Sequence, residues 1–187
     1  MHSDFRKYYF IENFDTKNLN NQDKDTIIIY RNYKQDNFDI DKLIKLRNFC
    51  KKKNLKFLLS NNFKLAIKLK LDGAYIPSFN KELKHLSYSL KTKFIIIGSA
   101  HNLKELRLKE IQKVSSVVLS SIFKKDKNFL GFYKFQFLKK LTNKNIIPLG
   151  GINRENLKFL RLLNFKSFAG ISYFQKKRPL KNKGPFK

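Results

Sequence analysis

The feature that most constrains this chain is the regular alternation of short apolar runs with amphipathic segments. Eight runs of strand length occur along the 187 residues, and helix-like segments or loops separate them. This alternation predicts parallel strands, because parallel neighbours must be joined by crossovers that are usually helical. Eight such units close a barrel, so we predict an α/β fold that is a single (β/α)8 TIM barrel, somewhat trimmed because the chain is short. A doubly wound open sheet is the alternative.

The strand candidates are residues 8–11, 26–30, 57–59, 73–76, 94–97, 117–119, 146–149 and 165–169. Helices are predicted after Asp39 and Asn102, at 63–71, 132–141 and 157–163, and weakly at 81–89. Residues 123–128 are predicted to form a loop. Residues 15–25 are predicted to form a loop or at most one helical turn. The barrel is expected to span residues 1–174. The basic tail at 175–187, with its run at 176–178, is expected to be largely disordered.

Composition sets the expected compartment. Cys50 is the one cysteine, which excludes an internal disulfide and fits a reducing environment. No apolar stretch reaches eighteen residues, so no membrane span or membrane partner is expected. Residues 1–6 lack the apolar segment of a signal peptide, and we therefore expect a cytoplasmic protein.

The net charge is extreme, with 41 Lys and Arg against 14 Asp and Glu, a formal +27. A charge of this size suits RNA or another polyanion, through counterion release. It also suits a general drift of surface positions towards lysine. The lysines are spread along the whole chain and do not cluster on one element, which favours the second interpretation. A nucleic-acid partner is therefore not expected, although lysines near a site could steer anionic substrates.

Polar and glycine-rich segments follow the predicted strands, where a barrel of this kind binds its ligands. Gly150-Gly151 follows the seventh strand, and Asn153 is expected to cap a helix directly after it. Gly170-Ile171-Ser172 follows the eighth strand. Exposed backbone N–H groups at two adjacent turns suit a phosphate, so we predict a phosphate-binding site there. The other strand ends supply polar side chains and few carboxylates: Arg31, Ser60, Asn61, Tyr75, Ser99, His101 and Ser120.

The order of these segments resembles the thiamine phosphate synthase/TenI family of barrels over most of the chain. The matching landmarks are Arg31, residues 59–62, 71–76, 98–101, 148–152 and 170–172. The resemblance implies a thiamine-biosynthesis transferase. Such an enzyme joins a hydroxymethylpyrimidine diphosphate to a thiazole phosphate and releases pyrophosphate in a magnesium-assisted, carbocation-like step.

The resemblance also implies roles for individual residues. Backbone groups of Gly150, Gly151, Gly170, Ile171 and Ser172 would bind the thiazole phosphate. Arg31, Ser60, Asn61, Lys125 and Lys127 would bind the diphosphate substrate. Ser99 matches the serine of the family's Ser-x-His motif, and His101 its histidine, which suits proton transfer near neutral pH. A surface or capping role for His101 is the alternative.

The departures from the family pattern fall on the diphosphate side. Ser60-Asn61 stands in place of an Asn-Asp pair, and Asn80 stands near a second aspartate. Asn61 and Asn80 are thus the only candidate Mg²⁺ ligands at those positions, and they supply no charge, whereas Mg²⁺ prefers carboxylate and phosphate oxygens. Tyr33 replaces a lysine, with Lys34 beside it. Residues 125–128 replace the family's Thr-x-Ser/Thr-Lys loop, and their lysines could partly neutralise a diphosphate.

Three functions therefore remain open. The first is a thiamine phosphate synthase acting on both small phosphorylated substrates. The second is a TenI-like thiazole tautomerase, or a barrel that binds thiazole phosphate without diphosphate chemistry. The third is a catalytically inactive barrel that binds RNA or another anion through its charge.

Overall fold

The computed structural model describes residues 5–33 and 38–175, and these residues form one eight-stranded parallel sheet. Lys34 and the tail at 176–187 lie outside the described residues. The strands are β1 (Arg6–Ile11), β2 (Thr26–Tyr30), β3 (Lys56–Ser60), β4 (Gly73–Ile76), β5 (Ile95–Ala100), β6 (Ser116–Ser120), β7 (Asn145–Leu149) and β8 (Ser167–Gly170).

The sheet order is that of a (β/α)8 barrel. It runs β7-β6-β5-β4-β3-β2-β1-β8, so each strand pairs with its neighbour in sequence and β1 also pairs with β8. Tyr8 is in register with Ile27 on one side and with Ala169 on the other. β7 and β8 lie at the two ends of this order and carry the predicted phosphate turns. The predicted TIM barrel is confirmed.

Side chains alternate between the barrel interior and the surrounding layer of helices. The interior is filled and includes Tyr8, Phe10, Ile27, Ile29, Leu58, Tyr75, Ile97, Val118, Ile147 and Ala169. A larger cluster packs between the outer faces of the strands and the helices. Because both faces of each strand are covered, the strands are almost wholly apolar, which is why the sequence predicted them.

The helices are α1 (Thr16–Asn20), α2 (Ile40–Lys52), α3 (Phe63–Lys68), α4 (Leu103–Ile111), α5 (Gly131–Lys140) and α6 (Leu157–Leu162). The caps predicted for α2 and α4 are present, since Asp39 accepts from the Lys42 amide and Asn102 from the Glu105 amide. Cys50 is core, as predicted, and burial raises the pKa of its thiol to about 12.

The trimming predicted for the barrel lies in the connections. The first crossover contains only the single turn α1, as expected. The helix predicted at 81–89 is wrong, because the segment forms only a 3-10 turn, Lys84–Ser87. Asn153 does not open a helix directly. Its side chain accepts from the Asn156 amide at 2.9 Å, which forms a separate turn before α6 begins at Leu157.

Candidate functional site

The mouth of the barrel is lined by the residues that end the interior rows of side chains. Ile29, Leu58 and Ile97 point into the interior, so Arg31 and Ser60, two positions later on β2 and β3, share that face. Ser99 does so on β5. The structure thus places three of the predicted diphosphate or catalytic residues at one end of the barrel.

Arg31 has its charge engaged by the protein. Its guanidinium carbon lies 5.1 Å from the centre of the Phe10 ring, and an Nη atom lies 3.5 Å from a carboxylate oxygen of Glu12. Its Nε is buried, and no acceptor in the described part of the chain takes its proton. The Nε proton of Arg31 is therefore unbonded and closed to solvent, and Glu12 competes with any anionic ligand for the charge of the partly exposed guanidinium.

Ser60 and Tyr33 contact each other across the mouth. Their hydroxyl oxygens are 3.1 Å apart, and Tyr33 also packs edge-to-face on Phe79 with ring centres 5.3 Å apart. Burial raises the pKa of the Tyr33 hydroxyl, and the hydrogen bond with Ser60 opposes that shift. Tyr33 therefore supplies an aromatic ring and a neutral hydroxyl to this part of the mouth.

Asn61 and Asn80, the candidate metal ligands, are hydrogen-bonded to each other. The Asn80 side-chain nitrogen donates to Oδ1 of Asn61 at 2.5 Å, and Oδ1 of Asn80 accepts from the Glu82 amide at 2.7 Å. Both amide oxygens are thus already in use. Asn61 has a φ of 60°, in the left-handed region that asparagine tolerates.

These contacts do not fit a magnesium ion. Mg²⁺ requires near-octahedral oxygen ligands, with one or two carboxylates in most protein sites, and this pair offers two bonded neutral amides. Across the described ranges, no group of three or more His, Cys, Asp or Glu side chains is placed to hold a metal.

Ser99 lies near the end of β5, and His101 directly follows that strand on the rim of the barrel. Ser99 is buried and hydrogen-bonds the side chain of Tyr75, whose hydroxyl pKa is raised by burial. Nδ1 of His101 lies 2.9 Å from a carboxylate oxygen of Glu105, and the same oxygen accepts from the His101 amide at 2.7 Å. A carboxylate at Nδ1 favours the tautomer protonated there, which leaves Nε2 able to accept a proton.

The Gly150-Gly151 turn needs both glycines. Their φ angles are 106° and 72°, in the left-handed region. A Cβ on Gly150 would lie 2.1 Å from the Ser121 hydroxyl, and one on Gly151 would lie 2.8 Å from the Lys124 amide nitrogen. The glycines therefore let the loop after β6 pack directly on this turn.

That loop contains Lys125 and Lys127. The amides of Phe123 and Lys124 donate to the Gly150 carbonyl at 3.0 and 3.3 Å, which fixes the loop across the turn. Lys125 and Lys127 are exposed beyond it.

Four of the five residues predicted to bind phosphate have amides without an acceptor among the described residues, whereas Gly170 belongs to β8 and pairs with Tyr9. The N–H groups of Gly150, Gly151, Ile171 and Ser172 donate to no atom of residues 5–33 or 38–175. The two turns are also neighbours. Residues 152–155 and 172–175, which follow them, line one cavity of about 610 Å³ on the flank of the barrel. The lining of that cavity includes Ser172 but does not reach Gly150, Gly151, Gly170 or Ile171.

Sequence reasoning missed two carboxylates, Glu12 and Glu105. The contact of Glu105 with His101 could have been predicted from the sequence, because Glu105 lies four residues after His101 at the start of a helix. This spacing brings two side chains together. Glu12 had none, since its partner Arg31 belongs to the next strand. Within the described ranges, no helix has the length and apolar character needed to cross a membrane.

Comparison with known proteins gives thiamine-phosphate synthases among the similar sequences. The chain is 31% identical over 142 residues to the thiamine-phosphate synthase of Pelagibacter ubique, covering 72% of this chain and 68% of that protein. It is 29% identical over 152 residues to the thiamine-phosphate synthase of Prochlorococcus marinus, covering 78% of this chain but only 43% of that protein.

Solved structures agree on the fold. Thiamine phosphate pyrophosphorylase from Pyrococcus furiosus superposes with a TM-score of 0.65 and 14% identity, over 90% of this chain and 86% of that one. The family model for thiamine monophosphate synthase (TMP-TENI) matches residues 19–174. The chain therefore belongs to the thiamine monophosphate synthase family.

Proposed function

We propose that this protein is a thiamine-phosphate synthase, a transferase that joins a hydroxymethylpyrimidine diphosphate to a thiazole phosphate and releases pyrophosphate. The observation that carries the proposal is the pair of neighbouring turns after β7 and β8. There the amides of Gly150, Gly151, Ile171 and Ser172 have no protein acceptor. Amides of this kind suit a phosphate monoester. The named relatives support the same reaction.

The diphosphate would lie against Arg31, which follows β2 and is separated from the β8 turn by β1. The guanidinium is partly exposed, and charged hydrogen bonds from it to phosphate oxygens would replace its contact with Glu12. The lysines at 125 and 127 would supply further positive charge as the pyrophosphate leaves. Any Mg²⁺ would be carried by the diphosphate oxygens, because the amides of Asn61 and Asn80 already bond each other.

The rim residues would act on the thiazole side. Ser99 is positioned by its hydrogen bond with Tyr75. Because Glu105 holds His101 through Nδ1, Nε2 of His101 would accept or donate the proton. The partners are then two small phosphorylated molecules. The cytoplasm, where the product is used as a cofactor precursor, is the expected location.

The test is incubation of purified protein with both substrates, with and without Mg²⁺, and detection of thiamine phosphate. Formation of thiamine phosphate by the wild type, and its loss in Arg31→Ala, is the expected result. Absence of product at any Mg²⁺ concentration would overturn the proposal.

One observation favours a second candidate, a TenI-like thiazole tautomerase. The His101–Glu105 pair is a complete proton-transfer unit, whereas the candidate metal ligands are satisfied by each other. A tautomerase would interconvert thiazole phosphate isomers without the pyrimidine substrate. It would lose activity in His101→Ala and keep it in Asn61→Ala, whereas a synthase would be impaired by both.

A further inference from the structure

Helix α4 and the residue that caps its C-terminus bury two polar side chains that the proposed reaction does not use. Lys109 and Gln112 each have 0% exposure, although lysine is rarely buried without a partner. Burying an ammonium group is costly unless each of its protons is bonded. The partners of Lys109 therefore indicate what the buried charge does.

The three protons of Lys109 have three acceptors, two of which belong to one loop. Its Nζ donates to the Pro77 carbonyl at 2.8 Å, the Asn80 carbonyl at 3.1 Å and the side-chain oxygen of Gln112 at 2.7 Å. The Asn80 amide also donates to the Pro77 carbonyl. Lys109 thus binds both ends of the Pro77 to Asn80 turn.

Gln112 extends the same attachment. Its side-chain nitrogen donates to the carbonyls of Asn80 and Glu82 at 3.0 and 2.9 Å. Its own carbonyl lies 2.8 Å from Nε2 of His85, a buried residue that stacks on Phe63. The loop after β4, residues 77–85, is therefore held from behind at several points by one face of α4.

The front of this loop is the β2–β4 side of the site. Asn80 donates to Asn61, and Phe79 packs on Tyr33, whose hydroxyl meets Ser60. No other connection of the barrel joins a buried cation to these residues in the described part of the chain. The position of Lys109 therefore sets the position of the Asn61–Asn80 pair.

We propose that Lys109 is a positioning residue for the diphosphate side of the site, acting through the Pro77–Asn80 turn and without touching the ligand. Naming the ligand rests on the proposed function. The structural part of the inference rests only on the contacts of Lys109. Gly98 is consistent with it, because a Cβ there would lie 2.6 Å from Cδ of Lys109, so this glycine in β5 makes room for the buried chain.

The test compares Lys109→Met with Lys104→Met, a control on the exposed face of the same helix. Amide hydrogen exchange is measured first, without ligand. In Lys109→Met, exchange at Asn80 and Glu82 should rise about tenfold relative to the amides of β6, because their turn loses its anchor. Lys104→Met should match the wild type.

Ligand binding is measured next, by titration with the pyrimidine diphosphate and, separately, with thiazole phosphate. Lys109→Met should bind the diphosphate about tenfold more weakly, since a small displacement of a binding group is enough for such a loss. Its affinity for thiazole phosphate should stay within about twofold, because the hydrogen bonds of the Lys109 side chain to described residues go to Pro77, Asn80 and Gln112 and not to the β7 and β8 turns. If Lys109→Met does not fold, Lys109→Gln, which keeps a donor without the charge, is measured in the same way.

Unchanged exchange at Asn80 and Glu82, or equal weakening of both ligands, would overturn the inference. A wild type that binds neither ligand would overturn the proposed function instead. In that case the exchange measurement still decides the positioning role, supporting it if exchange rises selectively and refuting it if it does not.

Discussion

The two sides of the barrel mouth differ in whether their polar groups are hydrogen-bonded within the protein. On the β7–β8 side, the amides of Gly150, Gly151, Ile171 and Ser172 have no acceptor among the described residues. On the β2–β4 side, the polar side chains are hydrogen-bonded to each other. The side-chain nitrogen of Asn80, for example, donates to Oδ1 of Asn61 at 2.5 Å. A ligand can bind the first side directly but must displace protein contacts on the second.

This difference shows why the two halves of a site can change independently. Backbone amides on glycine turns depend on chain geometry, so they persist while surrounding side chains vary. On the β2–β4 side the contacts are made by side chains, and Asn61 and Asn80 supply neutral amides that bond each other. The free amides of the glycine turns do not depend on these side chains.

The largest effect is expected from Gly150→Ala. The new Cβ would lie 2.9 Å from the Ser121 Cα, at a φ of 106°. We expect a loss of about 3 kcal/mol in the free energy of unfolding, from strain and overpacking. The folded protein should also bind thiazole phosphate at least about tenfold more weakly, since its phosphate amides move. Chemical denaturation and calorimetric titration measure both.

Gly131→Ala is the matched control for that variant. Gly131 also has a positive φ, 65°, but its Cβ would meet only the Phe129 ring at 3.5 Å, away from the turn. Gly131→Ala should lower the free energy of unfolding by about 1 kcal/mol and leave the affinity for thiazole phosphate unchanged. Equal loss of binding in both variants would mean that the Gly150 turn does not hold the phosphate.

The next effect is a gain, from the double variant Asn61→Asp with Asn80→Asp. Two carboxylates at hydrogen-bond distance would repel without a cation and would offer Mg²⁺ the charge that the amides lack. Affinity for the pyrimidine diphosphate should become about tenfold tighter on adding Mg²⁺, with thiazole phosphate unaffected. Asn62→Asp, which preserves the cap of α3, is the control. A double variant with no Mg²⁺ response would show that the β2–β4 side lacks the metal geometry for other reasons.

A smaller effect is expected in the pH dependence of stability. Burial lowers the pKa of Lys109 to about 8 from 10.5. Because the unfolded chain then holds more protons between those values, stability should rise as the pH increases from 8 to 10. The unfolding free energy of the wild type minus that of Lys109→Met should increase by about 2 kcal/mol over this range. If the difference in unfolding free energy stayed constant over this range, the pKa of Lys109 would not be lowered, which would contradict its burial behind the β2–β4 side.

The smallest effect is expected from Glu12→Gln, which removes the carboxylate beside Arg31. Freed from this partner, Arg31 should bind the diphosphate about two- to fivefold more tightly, the range typical of exposed ion pairs. Glu155→Gln, the same change of charge on the β7–β8 side, should have no effect on that titration. Weaker diphosphate binding in Glu12→Gln would indicate that Glu12 orients Arg31 and does not compete with the ligand.

Most of the fold could be predicted from the sequence, because the strands are buried on both faces and therefore apolar. The misplaced elements have specific causes. The strand predicted at 94–97 continues to Ala100 in β5, because Gly98 lies within the strand, where the absence of a Cβ leaves room for Lys109. The helix predicted at 81–89 is a 3-10 turn because the segment is held by Lys109 and Gln112 rather than by its own apolar face.

The residues of the site could be predicted from their order along the chain, but their contacts could not. Asn61 and Asn80 are far apart in sequence, and only the packing of the loop after β4 brings them together. The burial of Lys109 likewise has no local signal, because lysine at a helical position is normally exposed. Whether the β2–β4 side is open or already hydrogen-bonded is thus a property of the tertiary structure.

The most direct test of this account is a pair of calorimetric titrations of the wild-type protein, with thiazole phosphate and with pyrimidine diphosphate, each with and without Mg²⁺. We expect thiazole phosphate to bind without metal, and the affinity for the diphosphate to change by less than about threefold on adding Mg²⁺, because no carboxylate at Asn61 or Asn80 holds the ion. Failure of thiazole phosphate to bind, or diphosphate binding that Mg²⁺ strengthens tenfold or more, would contradict the account.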